Sequence, residues 1–251
     1  MQRVFGIAVV VGLGLMPTTA LTQTLAQQAA TTREGTIRFS FAAREGVCGR
    51  DDGRVWVDSR GREWESECEE GPVRIAADVE GGVVVRFRTC VGGRWRDTSG
   101  RVEELGTVGV GPATAWLEAL ASAPGVESGD AVFPLTLADS IAPGPALIRI
   151  AKSTSAPGRS REGAVFWLGQ VAGTAATAHL EEVVMSDDNR KLRDAAVFAL
   201  SQLRDNEGVP SLLRLARTNT DPKVRRSAFF WLGQSKDPRA LALFEEILVR
   251  P

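Results

Sequence analysis

A nine-residue phrase recurs in the second half of the chain. Glu162-Gly-Ala-Val-Phe-Trp-Leu-Gly-Gln170 returns as Asp194-Ala-Ala-Val-Phe-Ala-Leu-Ser-Gln202 and again as Arg226-Ser-Ala-Phe-Phe-Trp-Leu-Gly-Gln234, displaced by 32 residues each time without insertion. A fixed period of this size means stacked units, each too small to bury a core of its own. A second register runs through the gaps between the copies: Trp116, Ile148, Leu180, Leu212 and Phe244 share one phase, and Ala119, Ala151, Val183, Leu215 and Ile247 another. These are the second helices of successive helix pairs, and the phrase itself lies on the first helices. The earliest unit is degenerate, with Pro134 and Thr136 where later copies have Phe166 and Leu168. Terminal repeats of a solenoid are commonly atypical because they cap it, and here the cap is expected to lean on the region before it.

Local signals agree with this register. Asp221-Pro222 and Asp237-Pro238 each place a capping acceptor before a proline at the first helical position. Gly208 and Pro210 open another second helix. Gly169 and Gly233 sit near helix ends, where a left-handed residue is expected. The stretch Asp221-Pro-Lys-Val-Arg-Arg-Ser-Ala-Phe-Phe-Trp-Leu-Gly-Gln234, followed by Asp237-Pro-Arg-Ala-Leu, resembles HEAT repeats, most closely the short form found in phycobilin-lyase-type proteins. The resemblance covers about residues 112–251. Ankyrin lacks its Thr-Pro-Leu-His signature here, and tetratricopeptide repeats need a tyrosine that this chain does not contain. What the resemblance implies is a curved α-solenoid used as a binding or scaffold surface. Metal-dependent hydroxylases among HEAT-like proteins use His-Glu pairs, and a chain with one histidine has none.

The first half reads differently. Arg3 followed by the apolar run Val4–Met16 and then small residues is the pattern of an export signal, assigned to residues 1–26, with Thr18-Thr19-Ala20 and Thr24-Leu25-Ala26 as cleavage candidates. The run is short of the roughly 20 residues that span a bilayer, so no membrane span is expected after cleavage; an uncleaved anchor is the alternative. Residues 27–34 form a polar linker. Residues 35–110 form a small antiparallel β domain: Ile37, Phe39 and Phe41 alternate with polar neighbours, Val55–Val57 and Val73–Ile75 are weaker strands, and Val83–Val91 is bounded by glycine pairs. Residues 111–251 form the solenoid, with Gly106–Gly111 as the hinge between. The fold class is therefore α+β.

Export permits disulfides. If Glu63, Glu65, Glu67 and Glu69 alternate with Trp64, Ser66 and Cys68 on a strand, Cys68 faces inward, whereas Cys90 shares the outward face of Arg86 and Arg88. Opposite faces cannot satisfy disulfide geometry. Cys48 is thus the partner expected for Cys68, and Cys90 remains a packed thiol or an intermolecular link. Cross-strand ion pairs account for the carboxylates; a calcium or cationic-ligand site is the alternative. No Cys-x-x-Cys supports zinc.

Three columns on the first helices are candidate partner-binding residues. Phe166, Phe198 and Phe230 either pack as a ladder between repeats or line an apolar groove for a peptide or helix. Arg161, Arg193 and Arg225 either stitch repeats by pairing with Asp187 and Asp221 or meet a ligand. Gln170, Gln202 and Gln234 either satisfy backbone groups at their helix ends or meet a partner. A net charge of −1 gives no basic footprint for nucleic acid. No nucleophile elbow, phosphate loop or dinucleotide fingerprint is present, and His179 beside Glu181 and Glu182 reads as a surface histidine. The expectation is an exported, periplasmic or extracellular, non-catalytic scaffold that binds a protein partner and needs no cofactor or metal. The alternatives are a bilin-lyase-like enzyme binding a small molecule and a structural component of the cell envelope.

Overall fold

The computed structural model describes residues 25–27, 30–50, 53–57, 68–95, 98, 100–123, 128–171 and 174–249. Most of the segment read as a signal lies outside them, as do Glu63–Glu67. Leu25, at the end of that segment, is buried, and 30–31 are helical where a linker is expected.

The N-terminal half contains two sheets. Strands β1 (Glu34–Phe41), β5 (Val73–Glu80), β6 (Val83–Val91) and β7 (Val102–Thr107) form a four-stranded sheet in the order β6-β5-β1-β7. Strands β2 (Val47–Gly49), β3 (Val55–Val57) and β4 (Glu69–Glu70) form a smaller sheet in the order β3-β2-β4. All pairings are antiparallel except at one edge, where β7 runs parallel to β1. Alternation sorts the larger sheet as the sequence predicts: Ile37, Phe39, Phe41, Ile75 and Phe87 are buried on one face. The register of β6 shifts between the partners of Asp78 and Val79, so Val85 bulges outward beside Arg86. A disulfide joins Cys48 to Cys68 with a Cα–Cα distance of 5.5 Å. Glu69 is exposed in β4, and its carboxylate accepts a bond from the Gly93 amide. Arg88 pairs with Asp78 of the neighbouring strand.

The expected hinge is a bulge followed by a tight connection. Gly106 belongs to β7 with φ 68°, at the point where the β1–β7 register shifts, and only Val108 and Gly109 separate β7 from helix α1 (Val110–Ser122). Val108 is held by a bond from its amide to the Ser40 carbonyl. Helix α1 lies on the buried face of the sheet: Trp116 meets Phe39 edge-on at 5.4 Å and stacks near Phe87 at 6.3 Å. The sheet and the helical array therefore share one apolar core.

The array continues through α2 (Gly144–Lys152), α3 (Gly158–Val171), α4 (Thr174–Ser186), α5 (Arg190–Ser201), α6 (Val209–Thr218), α7 (Pro222–Gln234) and α8 (Pro238–Val249). Helices α3, α5 and α7 carry the repeated phrase. Its Ala164, Ala196 and Ala228 column and its Leu168, Leu200 and Leu232 column are all buried, which is why those two residue types recur. In the degenerate first unit the equivalent segment is a short 3₁₀ turn, Phe133–Leu137, with Pro134 and Thr136 buried. It is tied to the sheet: Ala43 bridges Ala138, the Arg44 amide donates to the Leu137 carbonyl, and the Asp139 amide donates to the Ala42 carbonyl. Asp221 caps α7 through the Lys223 amide, and Asp237 accepts from the Arg239 amide at the start of α8.

Gly169 and Gly233 are not left-handed. Both are helical, and after Gly233 the positive φ falls on Lys236. Gly169 serves close packing instead: a Cβ there would lie 2.8 Å from the Ala199 carbonyl oxygen.

Candidate functional site: an aromatic face along the first helices

The phrase places its phenylalanine two residues before the buried leucine, about 200° around the helix from it at 100° per residue. The rings therefore project from the array rather than into it. Phe166 and Phe230 are 38% and 57% exposed, and Phe198 is half-buried. They still touch across repeats. Phe166 stacks on Phe198 at 6.3 Å with 13° between planes, Phe198 meets Trp231 at 4.9 Å, and Trp231 meets Phe230 edge-on at 4.9 Å. At the other end Phe166 meets Trp167 edge-on, and Trp167 stacks on Phe133, both at 5.1 Å. Six rings thus form an unbroken line from Phe133 to Phe230. The packed ladder and the accessible surface coexist: the rings order one another sideways and leave edges and faces to solvent.

Three of these rings depart from a strict repeat. Phe133 belongs to the degenerate unit, where the phase is lost. Trp167 and Trp231 have Ala199 between them because α3 and α5 approach closely at Gly169, leaving no room for an indole.

The arginine column lies beneath this face and stitches the turns. Arg161 pairs with Asp187 and donates to the Ala151 carbonyl, and Arg193 reaches Asp221 at 3.1 Å and the Asp187 carbonyl. Arg225, in the last copy, donates to the Asn219 and Thr220 carbonyls. The Arg161–Asp187 pair is mostly buried, so its members are committed to structure. The Lys223 amide and the nearby Arg193 charge hold the Asp221 carboxyl below its ordinary value. Arg239 and its own amide hold the Asp237 carboxyl down to about 2.

Of the two roles open to the glutamine column, bonding to backbone carbonyls at the helix end is taken in two copies by neighbouring serines. Gln202 donates to the Ser201 hydroxyl, and the serine hydroxyls do the capping: Ser201 bonds the Phe198 carbonyl and Ser235 the Leu232 carbonyl. Gln202 and Gln234 are exposed one helical turn beyond Phe198 and Phe230. Gln170 is half-buried, so the exposed amides beside the aromatic line are Gln202 and Gln234.

His179 sits on α4, half-exposed, with Nδ1 3.8 Å from Glu182, too far for a hydrogen bond. The Glu182 carboxyl is held below its ordinary value chiefly by its hydrogen bond to Lys152. Among the described residues, no three His, Cys, Asp or Glu side chains are grouped as a metal ion requires, and no helix is long and apolar enough to cross a membrane.

Residues 177–251, from α4 through α8, match HEAT repeats. No curated protein matches the chain. Among solved structures, the complex of CpcE and CpcF of phycocyanin lyase from Nostoc is similar at 14% identity, over 55% of this chain and 90% of that one, with a TM-score of 0.36. The constant period and the buried alanine and leucine columns carry the same pattern back to α3, so the C-terminal array is an α-solenoid of HEAT-like helix pairs whose residues 177–251 match HEAT repeats.

Proposed function

We propose that the protein is an exported, non-catalytic scaffold that holds a protein partner on the aromatic face of its solenoid. The observation that carries this reading is the exposure of Phe166 and Phe230 within one continuous line of rings. Rings needed only to hold repeats together would be covered. Aromatic side chains with locked neighbours bind at low entropic cost, since little freedom remains to be lost. The adjacent glutamines supply donors and acceptors for a backbone, so the occupant that fits is an extended segment carrying apolar side chains. We assign the arginines to the turns rather than to the contact, because Arg161 and Arg193 pair with Asp187 and Asp221 and Arg225 donates to the Asn219 and Thr220 carbonyls.

The test replaces Phe166 and Phe230 together by alanine in the mature protein. Neither ring fills the core, so the helical circular dichroism should remain, while partner capture from the native compartment should fall at least about tenfold, the scale of an aromatic hot spot. Undiminished capture would refute the aromatic face as the site. Copurifying colour or tetrapyrrole binding would favour the enzyme reading instead. Cell fractionation tests export separately: a chain retained in the cytoplasm at full length would overturn that part.

A further inference from the structure

We infer that the outer face of the four-stranded sheet holds a binding pocket for a small oxyanion, independent of the solenoid. Three facts build it. First, register brings like charges together. Arg38 of β1, Ala76 of β5 and Arg88 of β6 lie in one cross-strand row, and Arg74 and Cys90 pair in the next. The small side chains of Ala76 and Cys90 leave a floor between the guanidiniums. Second, Trp95 closes the top: the Arg38 and Arg74 guanidiniums lie 5.2 and 5.5 Å from the centre of its ring. The cavity so formed is about 40 Å³, enough for one compact polar group, and Arg94 and Thr98 stand at its rim.

Third, the positive charge is only partly answered from within. Arg38 pairs with Glu104 and donates to the Thr98 hydroxyl, and Arg88 pairs with Asp78. Arg74 donates to the Gly93 carbonyl and has no carboxylate partner among the described residues. One terminal nitrogen of Arg74 and the Nε of Arg88 are buried without a hydrogen-bond acceptor among the described residues. Buried donors left in that state are costly, and an acceptor seated between them would remove the cost. Guanidinium groups present paired N–H donors that match the oxygens of phosphate, sulfate or carboxylate. A stacked indole holds them in place before the anion arrives.

Titration calorimetry on the mature protein, with inorganic phosphate, sulfate and acetate at constant ionic strength balanced by chloride, tests this. Saturable one-to-one binding is expected for at least one oxyanion. Arg74→Gln should weaken it at least about tenfold. Ala76→Leu, which fills the floor and keeps every charge, should do the same, so that failure of one variant to fold leaves the other to decide. Arg101→Gln, outside the pocket, should bind as the wild type does. Methyl phosphate binding like inorganic phosphate would identify the terminal group of a larger molecule, and its rejection a free anion. Absence of saturable binding, retention of affinity by both pocket variants, or equal loss in Arg101→Gln would overturn the proposal.

Discussion

Gly169 and Gly233 hold the same place in their copies of the phrase, yet they answer to different neighbours. At Gly169 an added methyl would meet the Ala199 backbone at 2.8–3.0 Å, and at Gly233 it would meet only the edge of Phe244 at 3.9 Å. Gly169→Ala should therefore destabilise by about 1–3 kcal/mol, the usual penalty of overpacking. Gly233→Ala should stabilise by about 0.5–1 kcal/mol through helix propensity alone. Thermal denaturation of the two variants checks the opposite signs. The sequence suggested a left-handed turn for both glycines, since a glycine near a helix end usually marks one. Which glycine faces a neighbouring helix at close range is a tertiary fact, and no local pattern encodes it. The exposure of Phe166 and Phe230 was likewise open, because helical phase separates the faces of a helix but does not say what covers each one.

At the scale of elements, capping was legible and pairing was not. Asp-Pro identified the starts of α7 and α8 because the acceptor and the proline act within one turn. Asp237 makes this testable. Its folded carboxyl lies at about 2, below the ordinary value of 3.8, chiefly because Arg239 hydrogen-bonds the ionised form. Its stabilising contribution is thus complete above about pH 4 and lost as pH falls toward 2. Melting curves between pH 6 and pH 2 should show a smaller acid-induced loss for Asp237→Asn than for the wild type. Strand existence was also readable from alternation, but β7 was missed and its parallel pairing could not be foreseen: Val102-Glu-Glu-Leu-Gly-Thr107 has little apolar alternation, and periodicity carries no direction. For the export proposed above, burial favours one of the two cleavage sites expected from the sequence. Leu25 is 3% exposed and packs in the core, so a mature chain beginning after Ala20 retains it and one beginning after Ala26 does not. Sequencing the mature N-terminus should find the earlier site.

For the whole molecule, the decisive feature is that sheet and solenoid are not separable bodies. Trp116 belongs by phase to the helical array and by contact to the sheet, against Phe39 and Phe87. Trp116→Ala should cost about 3–5 kcal/mol, the range for a large aromatic removed from a core. Near-ultraviolet dichroism and proteolysis should show both halves loosening together; loosening of α1 alone would count against a shared core. The repeat period revealed the array but said nothing of this junction, which rests on residues outside the echo. The sheet's arginine pocket was hidden for a related reason: Arg38, Arg74 and Arg88 are scattered in sequence and converge only through strand register, and Trp95 joins them from beyond the end of β6.

The most direct test of the central claim is photocrosslinking from the aromatic face in the native compartment. A benzoylphenylalanine at position 230 should capture a discrete partner protein, the capture should fail when Phe166 is also alanine, and the same probe at the exposed Glu245 of α8 should capture none. Capture from position 245 but not from 230, or capture from 230 that is indifferent to Phe166, would contradict it.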